Sequence, residues 1–254
     1  MTTLALPTLA LDGLLRSMAD DEFVVGFTDS EWTGIAPLLE EDIAMSSLSQ
    51  DELGHAAALY GLLAELTGGD ADGLAYDREP ADYRHARLLD HGRGDWAITM
   101  ARRYLYETAD AVRLDALVGG RWSPLADLVA KIVREERYHL MHVEAWLDRL
   151  ANGGAGTHGR LTAALAELGP DAGTVFTPLP DEPALIDAGV LAAPMRDLED
   201  RWRAAIAPTV ARLGLPTIPP TFDPDRGRTD HGAAFDWLWS EFTMVRGSDV
   251  GATW

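Results

Sequence analysis

The chain contains no cysteine. That one absence excludes disulfides, thiolate metal sites, iron–sulfur clusters and cysteine nucleophiles. Any redox metal has to be held by imidazole and carboxylate, a donor set that suits iron or manganese and also accepts zinc. Positive charge is scarce as well: 21 Lys and Arg stand against 41 Asp and Glu, for a net charge of −20. The balance argues against nonspecific attraction to nucleic acid or to an anionic membrane, and an anionic ligand would have to meet a local basic patch that the total conceals. No uninterrupted apolar run is long enough to cross a bilayer. The opening Met-Thr-Thr-Leu-Ala-Leu-Pro lacks the basic segment of a secretory signal, so a cytoplasmic location is expected. There is no glycine-rich phosphate loop to bind a nucleotide cofactor. No stretch alternates as a strand would, and an all-α fold is expected.

What is present is helical periodicity broken at regular places. Apolar positions at mixed three and four spacing predict a first helix over 8–33, although Gly13 and Gly26 weaken it. Pro37 suits the first turn of a long second helix that stops at Gly68-Gly69. Residues 70–94 read as loop with room for one short helix. A third helix is predicted over 95–118, closing at Gly119-Gly120. A fourth is expected from Ser123 as N-cap, with Pro124 at its first position, to about 150. Beyond it come shorter helices at 157–168, 194–213 and 228–245, with an irregular, Pro- and Gly-rich excursion over 170–193. The expected organisation is one domain over 1–254, with a core bundle at about 8–151 and a helical extension at about 157–254.

Two copies of Glu-x-x-His stand out, each preceded by another acid: Asp51-Glu52-Leu53-Gly54-His55 and Glu135-Glu136-Arg137-Tyr138-His139. Residues three apart share a helix face, so each copy can turn a carboxylate and an imidazole toward one metal. Two such pairs, with one carboxylate from each of two further helices, form the ligand set of a di-iron or di-manganese bundle. Glu22 and Glu107 supply the remainder. Fifteen Glu and seven His in 254 positions give about 0.4 accidental matches to so short a pattern, so the copies alone are modest support. Their placement adds more. The midpoint of Glu22 and Glu52 is Pro37, and that of Glu107 and Glu136 falls at Arg121–Trp122; both lie in predicted turns. Fifteen residues of helix put each acid about 22 Å from its turn, at one common depth. The expected site has Glu22 and His55 on one metal, Glu107 and His139 on the other, and Glu52 and Glu136 between them. Asp51 and Glu135 are placed to accept a hydrogen bond from the second nitrogen of a histidine on the facing helix. His142, one turn after His139, reads as a supporting or surface residue. Trp96, Tyr104 and Tyr106 read as packing, and Arg102, Arg103 and Arg137 as partners of core acids or of an anionic substrate. His85 and His91 carry nothing alone.

Several words of the sequence, in order, carry a resemblance: Glu31-Trp32-Thr33-Gly34-Ile35-Ala36-Pro37, Leu39-Glu40-Glu41-Asp42-Ile43-Ala44, Ala101-Arg102-Arg103-Tyr104, Glu135-Glu136-Arg137-Tyr138-His139-Leu140, Trp146-Leu147-Asp148-Arg149-Leu150 and Gly227-Arg228-Thr229-Asp230-His231. With the tail ending at Trp254 they resemble the phenylacetate-degradation group of ferritin-like proteins, nearest to the C-type subunits of phenylacetyl-CoA epoxidases. The resemblance implies a ferritin-like four-helix bundle with added C-terminal helices and a role in phenylacetate catabolism. Typical C-type subunits have an apolar residue and Gln where this chain has Glu52 and His55, and usually no carboxylate at the position of Glu22. All six positions here are ligand-capable. The expectation is thus a di-iron oxygenase or oxidase holding two Fe ions, with Mn as an alternative metal. It would use O2 as a monooxygenase does, with a separate reductase and a small-molecule substrate for which a CoA thioester is one candidate. A homologous subunit or a second copy is the expected protein partner, with no nucleic acid and no membrane. The alternative is a non-catalytic subunit that positions a catalytic homologue. Iron storage is a third reading and would need a cage-like assembly.

Overall fold

The computed structural model describes residues 7–220 and 227–249; the first six residues, 221–226 and the tail ending at Trp254 lie outside them. Among the described residues every regular element is helical. The first, α1 (Thr8–Ser30), is buried along almost its whole length, as expected of a helix enclosed on all sides. A turn over 31–38 leads into α2 (Leu39–Thr67). Pro37 is not in the first turn of α2 but one residue before its N-cap, Leu38, which is extended at φ −140°. The residue before a proline disfavours the helical region, yet nothing forces the helix to begin at the proline itself. At the other end Gly68, at φ +76°, and Gly69 both donate to the carbonyl of Ala64, a left-handed glycine stop.

The loop-like segment folds into α3 (Ala71–Tyr76) and two 3₁₀ turns at Pro80–Asp82 and Arg87–Asp90. Next comes α4 (Trp96–Asp115), whose N-cap Asp95 accepts from the amides of Ala97 and Ile98. Ser123 turns out to be the first residue of α5 (Ser123–Asn152) rather than its cap; Trp122 is the cap and offers no side-chain bond. Proline at the second position needs no donor there, so the helix starts without one.

The C-terminal half wraps this frame with α6 (Ala155–Leu168), a 3₁₀ run at Gly169–Phe176, α7 (Glu182–Asp187), α8 (Met195–Arg212) and α9 (Ala233–Ser248). The last helix begins five residues later than its sequence pattern indicates, because 228–232 is a loop that reaches back into the bundle. α6 and α8 pack on α4, and Trp202 of α8 donates its indole N–H to Thr108 at 2.9 Å. Phe242 of α9 packs edge-on to Phe23 of α1 and Tyr76 of α3. α1–α2 and α4–α5 are the two hairpins, and α2 also meets α5. Gly26 sets how closely the first pair approach: a Cβ there would lie 3.1 Å from the Cβ of Glu52 and 3.0 Å from Cγ of Leu53. The residue that weakens the helix by propensity is the one that lets α2 press against α1 beside Glu22.

Candidate metal centre

Each of the four bundle helices delivers its acid inward. Glu22 comes from α1, Glu52 and His55 from α2, Glu107 from α4, and Glu136 and His139 from α5; all six are buried. They form two groups that share two members. In one, Glu22, Glu52, His55 and Glu136 bring ligand-capable atoms within 4.8 Å of one another; in the other, Glu52, Glu107, Glu136 and His139 do. Glu52 and Glu136 belong to both.

The imidazoles are oriented from outside. His55 Nε2 donates to Glu135 Oε2 of α5 at 2.9 Å, and His139 Nε2 donates to Asp51 Oδ2 of α2 at 3.3 Å. A carboxylate only accepts, so these bonds place a proton on each Nε2 and turn each Nδ1 inward. His55 Nδ1 lies 3.3 Å from Glu22 Oε2 and His139 Nδ1 lies 3.3 Å from Glu52 Oε1. Glu136 Oε1 is 3.2 Å from His139 Nδ1 and 3.3 Å from His55 Nδ1, yet its alignment gives a hydrogen bond with neither. Proximity without hydrogen-bond direction is what donors aimed at a common point between them produce.

Four acids enclosed together disturb one another. Burial, then the charge of Glu52, pushes Glu22 well above the usual carboxylate range. Burial does the same to Glu107, with Arg103 opposing it and Glu136 adding to it. For Glu52 burial is also the largest influence, but contacts with His139 and His55 outweigh it and hold the carboxyl well below the normal value. Glu136 is likewise pulled down to about 2 by the two imidazoles against burial and Glu52. The same contacts overcome burial to raise His55, and raise His139 to about 11.

A pair of divalent cations fits these residues. Glu52 Oε2, Glu107 Oε2, Glu136 Oε1 and His139 Nδ1 are buried atoms with no hydrogen-bond partner, and their residues all belong to the two groups. Leaving such atoms unpaired is costly, and a cation would satisfy every one of them. The donors are hard oxygens and imidazoles in the proportion iron or manganese accepts.

Around the site, the structure gives particular partners to residues that the sequence leaves open, and Arg102 and Arg103 pair with buried acids as expected. Tyr106, which its spacing assigns to packing, is buried and also donates its hydroxyl to Glu22 Oε1 at 2.8 Å. Arg103 reaches in from one turn before Glu107 and donates to Glu52 Oε1 at 2.8 Å and to Glu107 Oε1. Arg102 pairs with Asp29 at 2.7 Å, whereas Arg137 is exposed. Arg137 lies in the wall of a cleft of about 140 Å3 between α4 and α5; Leu114, Val133, Leu140 and Glu136 line it too. His142 pairs with Glu41 of α2 at 2.7 Å and takes no part in either group. His91 meets Asp171 at 2.9 Å. His85, which carries nothing in sequence, is fully buried; its Nε2 donates to Asp90 at 2.6 Å and its ring stacks on His231 at 4.1 Å. Only the word ending in His231 pointed at that cluster, and Asp90 lies 141 residues before it.

Comparison with known proteins agrees with this architecture. The C-type subunit of the 1,2-phenylacetyl-CoA epoxidase of Escherichia coli (strain K12) is 32% identical to the chain over 190 residues, which cover 74% of this chain and 76% of that protein. The family model described as phenylacetic acid catabolic protein matches residues 7–254. A ferritin-like bundle carrying this match along nearly its whole length belongs to the phenylacetic acid catabolic protein family.

Proposed function

We propose that the chain holds two iron ions, or two manganese ions, and acts as an oxygen-dependent oxidoreductase of the monooxygenase type within an epoxidase-like assembly. Glu22 and His55 would hold one ion, Glu107 and His139 the other, and Glu52 and Glu136 would be shared. When bound, an iron pair supplies reductive use of oxygen: one O2, two electrons and two protons yield one oxygen atom for the substrate and one water. The electrons come from a separate reductase, since the chain has no nucleotide-binding loop and no cysteine-held cluster of its own.

The chain's own part is preparation. Asp51 and Glu135 hold the two rings by Nε2 so that both Nδ1 atoms face inward, where a bound ion would replace the proton on each Nδ1. Tyr106 holds Glu22 by one oxygen and leaves the other beside His55. Enclosure by four helices limits water around the acids and strengthens each charge interaction. The α4–α5 cleft, with Glu136 in its wall and apolar sides, is the route we assign to a small-molecule substrate. The single observation that carries the reading is the set of buried, unpartnered donor atoms on the residues of the two groups.

A second reading has its own support. Arg103 already neutralises part of the site, and the E. coli relative is named as a subunit of an epoxidase. On that reading the chain is a non-catalytic subunit that positions a catalytic homologue. Elemental analysis of protein produced with iron, with the optical spectrum after oxygen exposure, separates the two. Two irons per chain are expected, and their loss in Glu52→Ala and His139→Ala. Absence of stoichiometric metal after anaerobic ferrous loading would favour the positioning role.

A further inference from the structure

Arg103 is fully buried. Its Nη1 donates to Asp29 Oδ2 at 2.5 Å, and Nη2 donates to both Glu52 Oε1 and Glu107 Oε1. Asp29 is itself gripped by Arg102, whose other terminal nitrogen donates to the carbonyls of His91 and Gly92 at 2.8 and 2.9 Å. A planar guanidinium tied at both ends is fixed in position and direction.

The cation is not central to the site. Glu52 Oε1, the oxygen it holds, is the one 3.3 Å from His139 Nδ1, whereas Glu52 Oε2 stands 3.8 Å from His55 Nδ1. Glu107, its other partner, belongs only to the His139 group. Arg103 therefore lies on the Glu107–His139 side. On the other side the group that holds Glu22 is a neutral phenol, Tyr106.

Building on the two-metal reading, we propose that Arg103 makes the two metal positions unequal, so that the Glu22–His55 position fills first and the Glu107–His139 position is the weaker, exchangeable one. Two effects act in the same direction. A fixed positive charge beside the second position repels a divalent ion there, in surroundings where charge is poorly screened. The hydrogen bonds also withdraw one oxygen of Glu52 and one of Glu107 from that position and draw electron density from the oxygens that remain. Arg103 acts here as a positioning residue, touching the acids rather than a substrate.

Titration of the intact, metal-stripped chain with Mn2+, followed by loss of the free-ion electron paramagnetic resonance signal, tests this. Wild type is expected to take up two ions in two phases separated by roughly tenfold or more in affinity, the range seen when residues behind a metal ligand are changed. The first ion should be magnetically isolated, and spin coupling should appear only with the second. Arg103→Met should close the gap by tightening the second phase, and Arg103→Lys, which keeps the charge, should restore it. A merely structural role for Arg103 would lower both affinities together. If Arg103→Met does not fold, conservative changes to the acids still decide the question. Glu107→Gln should abolish the weak phase and spare the tight one, and Glu22→Gln should do the reverse. Two equivalent ions in wild type, or a tight ion surviving in Glu22→Gln, would overturn the assignment while leaving the two-metal reading in place. No uptake of Mn2+ by wild type would overturn both.

Discussion

Adjacent residues of α1 enter two buried ionic clusters that are built on opposite principles. Asp21 is finished within the protein. Its Oδ1 accepts from the amide of Ala86 at 2.7 Å and from Arg228 at 2.9 Å, and its Oδ2 accepts from Arg113 at 2.5 Å and Arg228 at 3.0 Å. With Asp110 against Arg113, two acids face two guanidinium groups. Burial pushes Asp21 upward, but Arg228 and Arg113 outweigh it and hold the carboxyl below its ordinary value. Glu22, one residue on, is in the reverse condition: raised, in a cluster of four acids with one arginine. A structural ionic network balances its charges internally. A cluster that does not is prepared for something that arrives later, and the contrast between neighbouring side chains is the clearest sign of which is which.

Substitutions should therefore have opposite signs in the two regions. The largest effect is expected for Arg113→Met. Removing one cation leaves Asp21 and Asp110 short of charge in the interior, and stability should fall by about 3–5 kcal/mol in urea denaturation. A loss below about 1 kcal/mol would mean that the Asp21 cluster is not the closed unit described. Glu22→Gln should do the opposite in metal-stripped protein. It removes a carboxyl that burial and Glu52 disfavour as an anion, so stability at pH 7 should rise on the order of 1 kcal/mol, where buried substitutions ordinarily cost about that much. The thermal stabilisation gained by adding Mn2+ should shrink in the same variant, because a ligand that binds only the folded state contributes according to its affinity. A destabilised metal-free Glu22→Gln would break the comparison.

The smallest effect concerns a third cluster, where α9's leading loop meets the 3₁₀ turn. His231 Nδ1 stands 3.1 Å from Asp90 Oδ1 and Nε2 stands 3.0 Å from the carbonyl of Tyr83. Both oxygens only accept, so both nitrogens bond fully only when the ring is an imidazolium. Burial lowers the pKa of His231, but the Asp90 bond outweighs it and the folded value lies above the ordinary 6.5. A raised folded value means stability that is complete below 6.5 and lost as pH rises through the folded value. His85 beside it is shifted the other way, chiefly by burial, and contributes stability on the alkaline side of its folded value. The comparison that isolates His231 is wild type against His231→Gln. The advantage of wild type should be greatest near pH 5–6 and should decline toward pH 9, read as the urea midpoint at each pH. An advantage that grows with pH would show that His231 is held neutral.

The course of the chain was legible in those parts where local rules act alone. Gly68-Gly69 ends α2 because only glycine takes a left-handed stop without strain, and the i, i+3 spacing of Glu52 with His55 and of Glu136 with His139 puts each pair on one face whatever surrounds it. The two turns follow from their prolines and glycines, although Pro37 and Ser123 show that a favourable residue does not fix the boundary to the residue. The sequence places Asp51 and Glu135 beside the ligand acids; which histidine each meets depends on how α2 and α5 cross.

By itself, then, the sequence determined a helical chain without thiol chemistry, with two hairpins whose acids stand at one depth. These are consequences of residue type, period and distance along the chain. Only the tertiary structure decided how those charges are met. Arg103 reaches Glu52 across 51 positions, Arg228 reaches Asp21 across 207, and His231 closes on Asp90 across 141. No local preference encodes such pairs, because an arginine next to its own helix neighbours has many acids to choose from. The choice is made when burial removes water, so that each charge has to be matched by whatever the packing has brought within reach.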